Sequence, residues 1–323
     1  MKPSIISLEE IKKIVSSLDL MPVIEQGFVA YSSERTVVPP VGELLLEKGE
    51  VHIKYGYIKG DEYYVIKIAS GFSGNFSLGL SSSNGLMLLF SQQTGELTCI
   101  LLDEGFLTDT RTAIAGAISA KYLAPEQVER IGIVGTGTQA RLQLMYLEPV
   151  VACRDVLVWG RGEKQVAEYR GDMVKHGFQI ETTTDIASIL RTCNLVVTTT
   201  PAKSPLLLHS DLRSIIQKSV LQKGLHITAV GSDTAEKQEL DASILERADL
   251  VVADSISQCL VRGEIHQAIQ SGLLSENQLF ELGHIINGTA TGRISDNQIT
   301  VADLTGVAVQ DIKIAEVVYR NSL

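Results

Sequence analysis

The sequence predicts an α/β protein in which a doubly wound parallel sheet is joined to a separate α+β domain, and two observations predict it. From about Pro125 onward, short apolar strands alternate with helical stretches, which is typical of a parallel sheet covered by helices. Before residue 120, period-two strands follow one another without helices between them, which indicates a mixed or antiparallel sheet. The length of 323 residues also favours two domains.

The N-terminal part begins with helices and continues with strands. Ser7 and Glu10 have the spacing of a capping box, which predicts an amphipathic helix after Ser7. Further helices are predicted at Met21–Ser32 and Thr108–Leu123. Strands are predicted at Val41–Leu46, Val51–Tyr57, Tyr63–Ala69, Gly85–Ser91 and Leu97–Asp103. We expect residues 1–120 to form the α+β domain, joined by a C-terminal helix within 306–323.

Residues 121–305 are predicted to form the parallel-sheet domain. Its predicted strands are Ile131–Val134, Val156–Trp159, Gln179–Thr182, Leu195–Thr199, His226–Val230 and Leu250–Ala253. Its predicted helices include Lys164–His176, Asp185–Leu190 and Gln258–Ser271.

A glycine-rich turn follows the first of these strands. It has the pattern G-x-G-x-x-A, formed by Gly135, Thr136, Gly137, Thr138, Gln139 and Ala140. Gly135 permits a tight turn, Gly137 lets the backbone approach a pyrophosphate, and Ala140 keeps the next helix close to the sheet. The N-terminus of that helix offers free N–H groups and a positive dipole end. Between a strand and a helix, this turn predicts a Rossmann-type domain that binds a nicotinamide dinucleotide.

The end of the second strand bears on which dinucleotide is bound. In NAD enzymes an acid about 20 residues past the glycines binds the ribose 2′-hydroxyl. Here the strand ends at Trp159 and is followed by Gly160 and Arg161, with no acid before Glu163. Arg161 is therefore predicted to pair with a 2′-phosphate, which favours NADPH over NADH. The alternative is that Arg161 is solvated and Glu163 binds the ribose.

Composition excludes several classes of protein. The formal charge of −10 and the absence of a basic run argue against a nucleic-acid surface. The four cysteines lie far apart, so reduced thiols are expected rather than a disulfide framework, and the scattered histidines predict no metal site. No apolar run approaches the roughly 20 residues of a membrane span. With no signal sequence at its N-terminus, the chain is predicted to be cytoplasmic.

Three further motifs occur in order around the glycine turn. They are Tyr64-Val-Ile-Lys67-Ile-Ala-Ser70, Thr108-Asp-Thr-Arg111-Thr-Ala113 and Thr228-Ala-Val-Gly-Ser-Asp233-Thr-Ala-Glu-Lys237-Gln-Glu-Leu240. Each motif alone is short, but the ordered set resembles the ornithine cyclodeaminase/mu-crystallin family over nearly the whole chain. Within the family the sequence is most similar to the imine-reducing and ectoine-utilisation-like members.

The resemblance implies roles for four residues. In the family, the positions of Lys67 and Arg111 hold the substrate carboxylate, and that of Asp233 lies beside the reacting amine. Lys54 stands where ornithine cyclodeaminases have a glutamate, and a lysine there disfavours an ornithine ammonium. The alternatives are water-facing strand lysines at positions 54 and 67, a turn-forming Asp233, and a salt bridge from Arg111 to Asp109 or Asp103.

The resemblance implies an enzyme that transfers hydride from NADPH or NADH to the C=N carbon of a 2-imino acid. A cyclic ketimine such as Δ1-pyrroline-2-carboxylate is the expected substrate. Lys67 and Asp233 are the expected catalytic residues, and Thr200, Val230 and Gly231 are expected to join the turn in cofactor binding. A homodimer joined through the N-terminal domains is also implied. The alternatives are ornithine cyclodeaminase, an iminosuccinate reductase or alanine dehydrogenase-like enzyme, and a non-enzymatic binding protein.

Overall fold

The computed structural model describes residues 2–211 and 224–323. The chain divides into two compact units. The first consists of Met1–Arg111 together with Val307–Leu323, and the second of Thr112–Gly306. The chain passes from the first unit to the second within the helix Phe106–Leu123.

The first unit is built on a mixed sheet, as the period-two pattern predicts. Its described strands are β1 (Ser4–Ile6), β2 (Thr36–Val37), β3 (Gly42–Leu46), β4 (Gly49–Ile58), β5 (Tyr63–Gly71), β6 (Ser83–Ser91) and β7 (Leu97–Leu101). The order is β1-β7-β6-β5-β4-β2, and β3 also pairs with β4. Only β1 and β7 run parallel among these pairs, and the other pairs are antiparallel.

The first unit also contains helices, and the C-terminal one packs against the sheet. The first helix, α1 (Leu8–Val15), begins with both hydrogen bonds of the predicted Ser7–Glu10 capping box. It is followed by α2 (Met21–Ser32), and α3 (Phe106–Leu123) comes after the last strand of the sheet. The C-terminal helix, Ala308–Arg320, packs against α2, β4 and β5. Its first turns are buried although they contain Gln310 and Asp311, so these polar side chains require partners inside the unit.

The second unit contains the predicted parallel sheet. Its strands are β8 (Ile131–Val134), β9 (Asp155–Trp159), β10 (Gln179–Thr183), β11 (Leu195–Thr198), β12 (Lys203–Leu207), β13 (Leu225–Ala229), β14 (Gln238–Leu240), β15 (Leu250–Ala253), β16 (Leu279–Glu281) and β17 (Ile299–Asp303). The main sheet has the order β10-β9-β8-β11-β13-β17-β15-β16 with every pair parallel, and β12 pairs with β14 separately. The Rossmann-type fold is confirmed.

The strand order explains where a ligand fits. The chain continues from β8 to β9 on one side and later returns to β11 on the other side of β8. Such a reversal opens a crevice at the carboxyl ends of the strands. The described helices of this unit are α4 (Thr138–Leu147), α5 (Glu163–Lys175), α6 (Ala187–Thr192), α7 (Ala242–Arg247), α8 (Ile256–Cys259), α9 (Gly263–Gln270) and α10 (Leu282–Ile286).

The helix predicted at Gln258–Ser271 is wrong as a continuous element. The structure has α8 ending at Cys259 and α9 beginning at Gly263, whose φ is +88°. A Cβ at Gly263 would lie 2.5 Å from Oδ2 of Asp303. That carboxylate oxygen accepts a hydrogen bond from the N–H of Ile265 at 2.8 Å. The buried carboxylate therefore occupies the space that a continuous helix with an ordinary side chain would need.

None of the described helices is both long and apolar enough to cross a bilayer.

Candidate active site

The glycine turn lies between β8 and α4, where the sequence predicts it. Gly135 has a φ of +122°, and a Cβ there would meet Oγ1 of Thr199 at 2.5 Å. Gly137 precedes α4 in an extended conformation, without a side-chain cap, and a Cβ on it would have nothing within 4 Å. Arg141 braces the turn because its Nη1 donates to the carbonyl oxygens of Thr136 (2.5 Å) and Gly137 (3.2 Å).

A cavity of about 440 Å³ opens above this turn. It is lined by Gly135, Thr136, Gly137, Trp159, Gly160, Arg161, Gly162, Gln165, Thr199, Thr200 and Pro201. An uncapped helix N-terminus beside open space at a glycine is a favourable environment for a phosphate. These features fit the pyrophosphate of a dinucleotide.

Arg161 is exposed on the wall of this cavity and makes no hydrogen bond or ion pair with any described residue. It also lines a larger neighbouring cavity of about 1050 Å³, together with Glu163 and Arg170. Arg161 and Glu163, the two residues that the sequence offers for binding the adenosine ribose or its 2′-phosphate, thus both line this larger cavity.

Thr200, Val230 and Gly231 follow β11 and β13, and a buried carboxylate connects two of them. The Oε1 atom of Glu239 accepts hydrogen bonds from the N–H of Thr200 (2.5 Å) and from its hydroxyl (2.8 Å). The Oε2 atom accepts from the hydroxyl of Thr198 (2.7 Å) and from the N–H of Gly231 (2.9 Å). Burial raises the pKa of Glu239 to about 7, against the lowering effect of these donors.

In the first unit, three cationic side chains predicted to bind substrate are buried. Lys54, Lys67 and Arg111 are 6%, 2% and 4% exposed, so the alternative of water-facing lysines is wrong. Lys54 on β4 stands directly opposite Lys67 on β5. The Nζ atom of Lys67 lies 3.7 Å from Oδ2 of Asp311.

Asp311 also binds the guanidinium group. Nε of Arg111 donates to Oδ1 of Asp311 at 2.9 Å, and Nη1 donates to Oε1 of Gln310 at 3.0 Å. The alternative of a salt bridge from Arg111 to Asp109 or Asp103 is therefore wrong, because the carboxylate that pairs with Arg111 is that of Asp311. Because a guanidinium carries five N–H donors, these two contacts leave Arg111 further donors for a ligand.

Asp103 fixes the start of the helix that carries Arg111. Its Oδ2 accepts a hydrogen bond from the N–H of Leu107 at 2.9 Å, in the first turn of α3. Burial, with a smaller contribution from nearby Asp311, raises the pKa of Asp103.

Asp233 belongs to the second unit and follows β13. Its carboxylate pairs with Nζ of Lys237 at 2.6 Å, and its carbonyl oxygen accepts from Nη1 of Arg262 at 3.1 Å. The side chain remains 37% exposed.

Sequence reasoning missed three residues that organise these groups: Gln310, Asp311 and Glu239. Glu239 lies inside the third family-like motif, next to residues that were singled out. Asp311 gave a weaker signal, namely a carboxylate among apolar residues of the C-terminal helix. Within the described residues, no group of three or more His, Cys, Asp or Glu side chains has the arrangement of a metal site.

The reversal of strand order, the braced glycine turn and the open helix N-terminus together define a Rossmann-type dinucleotide-binding protein. Its first unit adds a buried cluster of cations. The chain belongs to the ornithine cyclodeaminase/mu-crystallin family, whose model matches residues 1–323.

Similar proteins cover almost the whole chain. An uncharacterised cyclodeaminase of Sinorhizobium fredii is 41% identical over 97% of this chain and 94% of its own length. The structure of an archaeal alanine dehydrogenase dimer with bound NAD has a TM-score of 0.88 and 31% identity, covering 100% of this chain and 96% of that one. The Δ1-pyrroline-2-carboxylate reductase of Thermococcus litoralis, in complex with NADH and L-proline, has a TM-score of 0.90 and 25% identity, covering 99% and 97%.

Proposed function

We propose that this protein is an NAD(P)H-dependent reductase of 2-imino acids. The observation that carries the proposal is the buried group formed by Lys67, Arg111 and Asp311. A guanidinium with free donors beside a buried ammonium is suited to a small carboxylate, because both groups are charged and largely removed from water. Lys54, opposite Lys67, adds a further cation on the same sheet.

The cofactor is assigned to the second unit. Residues 135–140 would hold the pyrophosphate. Thr200, Val230 and Gly231, at the ends of β11 and β13, would contact the cofactor on the other side of β8. The dinucleotide supplies the hydride when it is bound. The two similar solved structures contain NAD and NADH. Arg161, which has no described partner, nevertheless favours NADPH, because a guanidinium pairs well with a 2′-phosphate.

The protein's own contribution is positioning and proton supply. Lys67 and Arg111 would fix the substrate carboxylate and so restrict the orientation of the adjoining imine carbon. The imine nitrogen must gain a proton as the carbon is reduced. Lys67 can donate that proton directly, or a water ordered by Asp233 can deliver it. Lys237 would hold the Asp233 carboxylate in place for this task.

The substrate proposed first is a cyclic ketimine such as Δ1-pyrroline-2-carboxylate, which would be reduced to L-proline. Lys67, Arg111 and Lys54 favour an anion and disfavour the free ammonium group of ornithine, since like charges repel in a water-poor site. A second carboxylate is compatible with the same cations, so iminosuccinate belongs to this class of substrates. The substrate of an alanine dehydrogenase-like enzyme, with a single carboxylate and a small side chain, belongs to it as well.

Ornithine cyclodeaminase is the second candidate. The observation that favours it is the 41% identity to a protein described as an uncharacterised cyclodeaminase. In that reaction, bound NAD is reduced and reoxidised within each turnover, ammonia is released, and no external NADPH is consumed.

We propose a cytoplasmic homodimer joined through the first unit. Its strand β3 carries Leu44, Leu45 and Leu46, which are 55%, 70% and 45% exposed. An exposed apolar strand in a sheet is a frequent site of association between copies. The similar archaeal alanine dehydrogenase is described as a dimer.

The decisive experiment follows NADPH absorbance while purified protein is mixed with Δ1-pyrroline-2-carboxylate, with iminosuccinate, or with pyruvate and ammonia. Stoichiometric NADPH oxidation with an imino acid, and formation of the L-amino acid, is the expected result. Ammonia release from ornithine without NADPH consumption would replace the reductase with the cyclodeaminase.

A further inference from the structure

Glu239 is a buried side chain to which the proposed reaction assigns no role. It lies on β14, is completely removed from solvent, and accepts four hydrogen bonds through its two carboxylate oxygens. The donors come from the ends of two neighbouring strands of the main sheet. Thr198 and Thr200 lie at the end of β11, and Gly231 follows β13.

These two strand ends lie on one side of the glycine turn. In a Rossmann-type sheet the pyrophosphate sits at the turn after the first strand, and the adenosine half extends towards the next strand in sequence. Here that strand is β9, so β11 and β13, on the opposite side of β8, face the nicotinamide half.

We propose that Glu239 is a positioning residue that holds Thr200 and Gly231 in the geometry that receives the nicotinamide half of the cofactor. The inference rests on the proposed use of NAD(P)H. Glu239 acts through these two residues rather than by touching the cofactor.

The two backbone donors require an oxygen on each side of the side chain, which a carboxyl group supplies and an amide does not. A glutamine has one oxygen and one NH2 group, and each carboxylate oxygen of Glu239 accepts one backbone N–H, from Thr200 or from Gly231. Whichever way the amide is turned, one backbone N–H would face the NH2 group. The threonine hydroxyls can rotate to become acceptors, but a backbone N–H cannot.

Close packing leaves no empty space between the two strand ends and Glu239. A Cβ placed on Gly231 would lie 2.2 Å from the carbonyl oxygen of Thr200 and 2.7 Å from Cδ of Glu239. The glycine thus permits the two strand ends and the carboxylate to meet. Loss of one acceptor must then displace Thr200 or Gly231 rather than be absorbed by empty space.

The experiment measures the affinity of Glu239→Gln for NADPH and NADH, and for 2′,5′-ADP and ADP as probes of the adenosine half, by titration calorimetry. We expect the complete dinucleotides to bind about 10- to 100-fold more weakly, as for a buried unsatisfied donor. Binding of the adenosine probes should be unchanged. Thr198→Val, which removes one donor and keeps the carboxylate, should shift affinity in the same direction by a smaller factor.

Asp303→Asn is the matched control. Asp303 is also a buried acid at the end of a strand of the main sheet, but its carboxylate accepts from backbone N–H groups of α9, those of Glu264 and Ile265, and from neither Thr200 nor Gly231. We expect this variant to bind every probe as wild type does.

Each outcome has a separate meaning. Equal loss of dinucleotides and adenosine probes in Glu239→Gln, or no loss in a folded variant, would overturn the positioning role. If Glu239→Gln does not fold, unchanged dinucleotide affinity in Thr198→Val would overturn it instead. Failure of wild type to bind NADPH or NADH would overturn the proposed function itself.

Discussion

Lys54 and Lys67 stand directly opposite each other on β4 and β5, and both are almost fully buried. Opposed residues of antiparallel strands project to the same face of the sheet, where like charges destabilise each other. Asp311 reaches Lys67 and also accepts a hydrogen bond from Arg111. The first unit thus buries two lysines and an arginine, with Asp311 beside two of these three cations, an arrangement that favours an anionic ligand.

Arg111→Ala should nearly abolish reduction of 2-imino acids. Removing the forked partner of a partly buried carboxylate costs on the order of 2–5 kcal/mol, or about 30- to several-thousand-fold in kcat/KM. NADPH binding should be unchanged, because the residues assigned to the cofactor lie elsewhere in the chain. Steady-state kinetics and calorimetry measure the two effects. Arg111→Lys keeps the charge without the fork and should lose less activity than Arg111→Ala. Wild-type kcat/KM in Arg111→Ala would show that Arg111 does not hold the substrate carboxylate.

Asp311→Asn should destabilise the protein. The substitution leaves the buried cations Lys67 and Arg111 beside a neutral amide, and breaking a buried ion pair costs about 3–5 kcal/mol. Urea denaturation measures the change in the free energy of unfolding. Asp61→Asn, which breaks the less buried pair with Lys313, is the control and should cost less. If Asp311→Asn is as stable as wild type, Asp311 does not compensate these cations.

Arg161→Ala should weaken NADPH much more than NADH. The difference should be about 1.5–3 kcal/mol, the contribution of a hydrogen bond to a charged group. Dissociation constants for both cofactors provide the measurement. Lys164→Ala removes a highly exposed cation from α5 nearby and should leave the ratio unchanged. Equal losses for the two cofactors would leave Arg161 as a surface residue.

Glu239 should make the protein less stable as the pH rises. In the folded protein its pKa is about 7, above the ordinary value of 4.5, so the folded state binds this proton more tightly than the unfolded state does. The stabilisation by the bound proton is therefore complete below pH 4.5 and is lost as the pH rises through 7. The free energy of unfolding should therefore fall by on the order of 3 kcal/mol between pH 5 and pH 8 from this group. Glu239→Gln should lack that component in urea denaturation at both pH values. Parallel pH profiles for the two proteins would contradict the assignment.

The sequence by itself determined the fold class and the glycine turn. Both depend on local information. The fold class follows from the alternation of strands and helices, and the turn follows from the positive φ at position 135, which favours glycine. The same local reasoning failed at Gly263, because the group that interrupts the helix there, the carboxylate of Asp303, is 40 positions away in the chain.

Tertiary structure decided which groups act together. Arg111 meets Asp311 across 200 positions of sequence, and Glu239 joins the ends of two strands that are adjacent only in the folded sheet. A motif indicates which side chains can bind a ligand. Their charge partners follow from packing, since a buried ionised group must find its counter-charge or donors wherever the fold brings them.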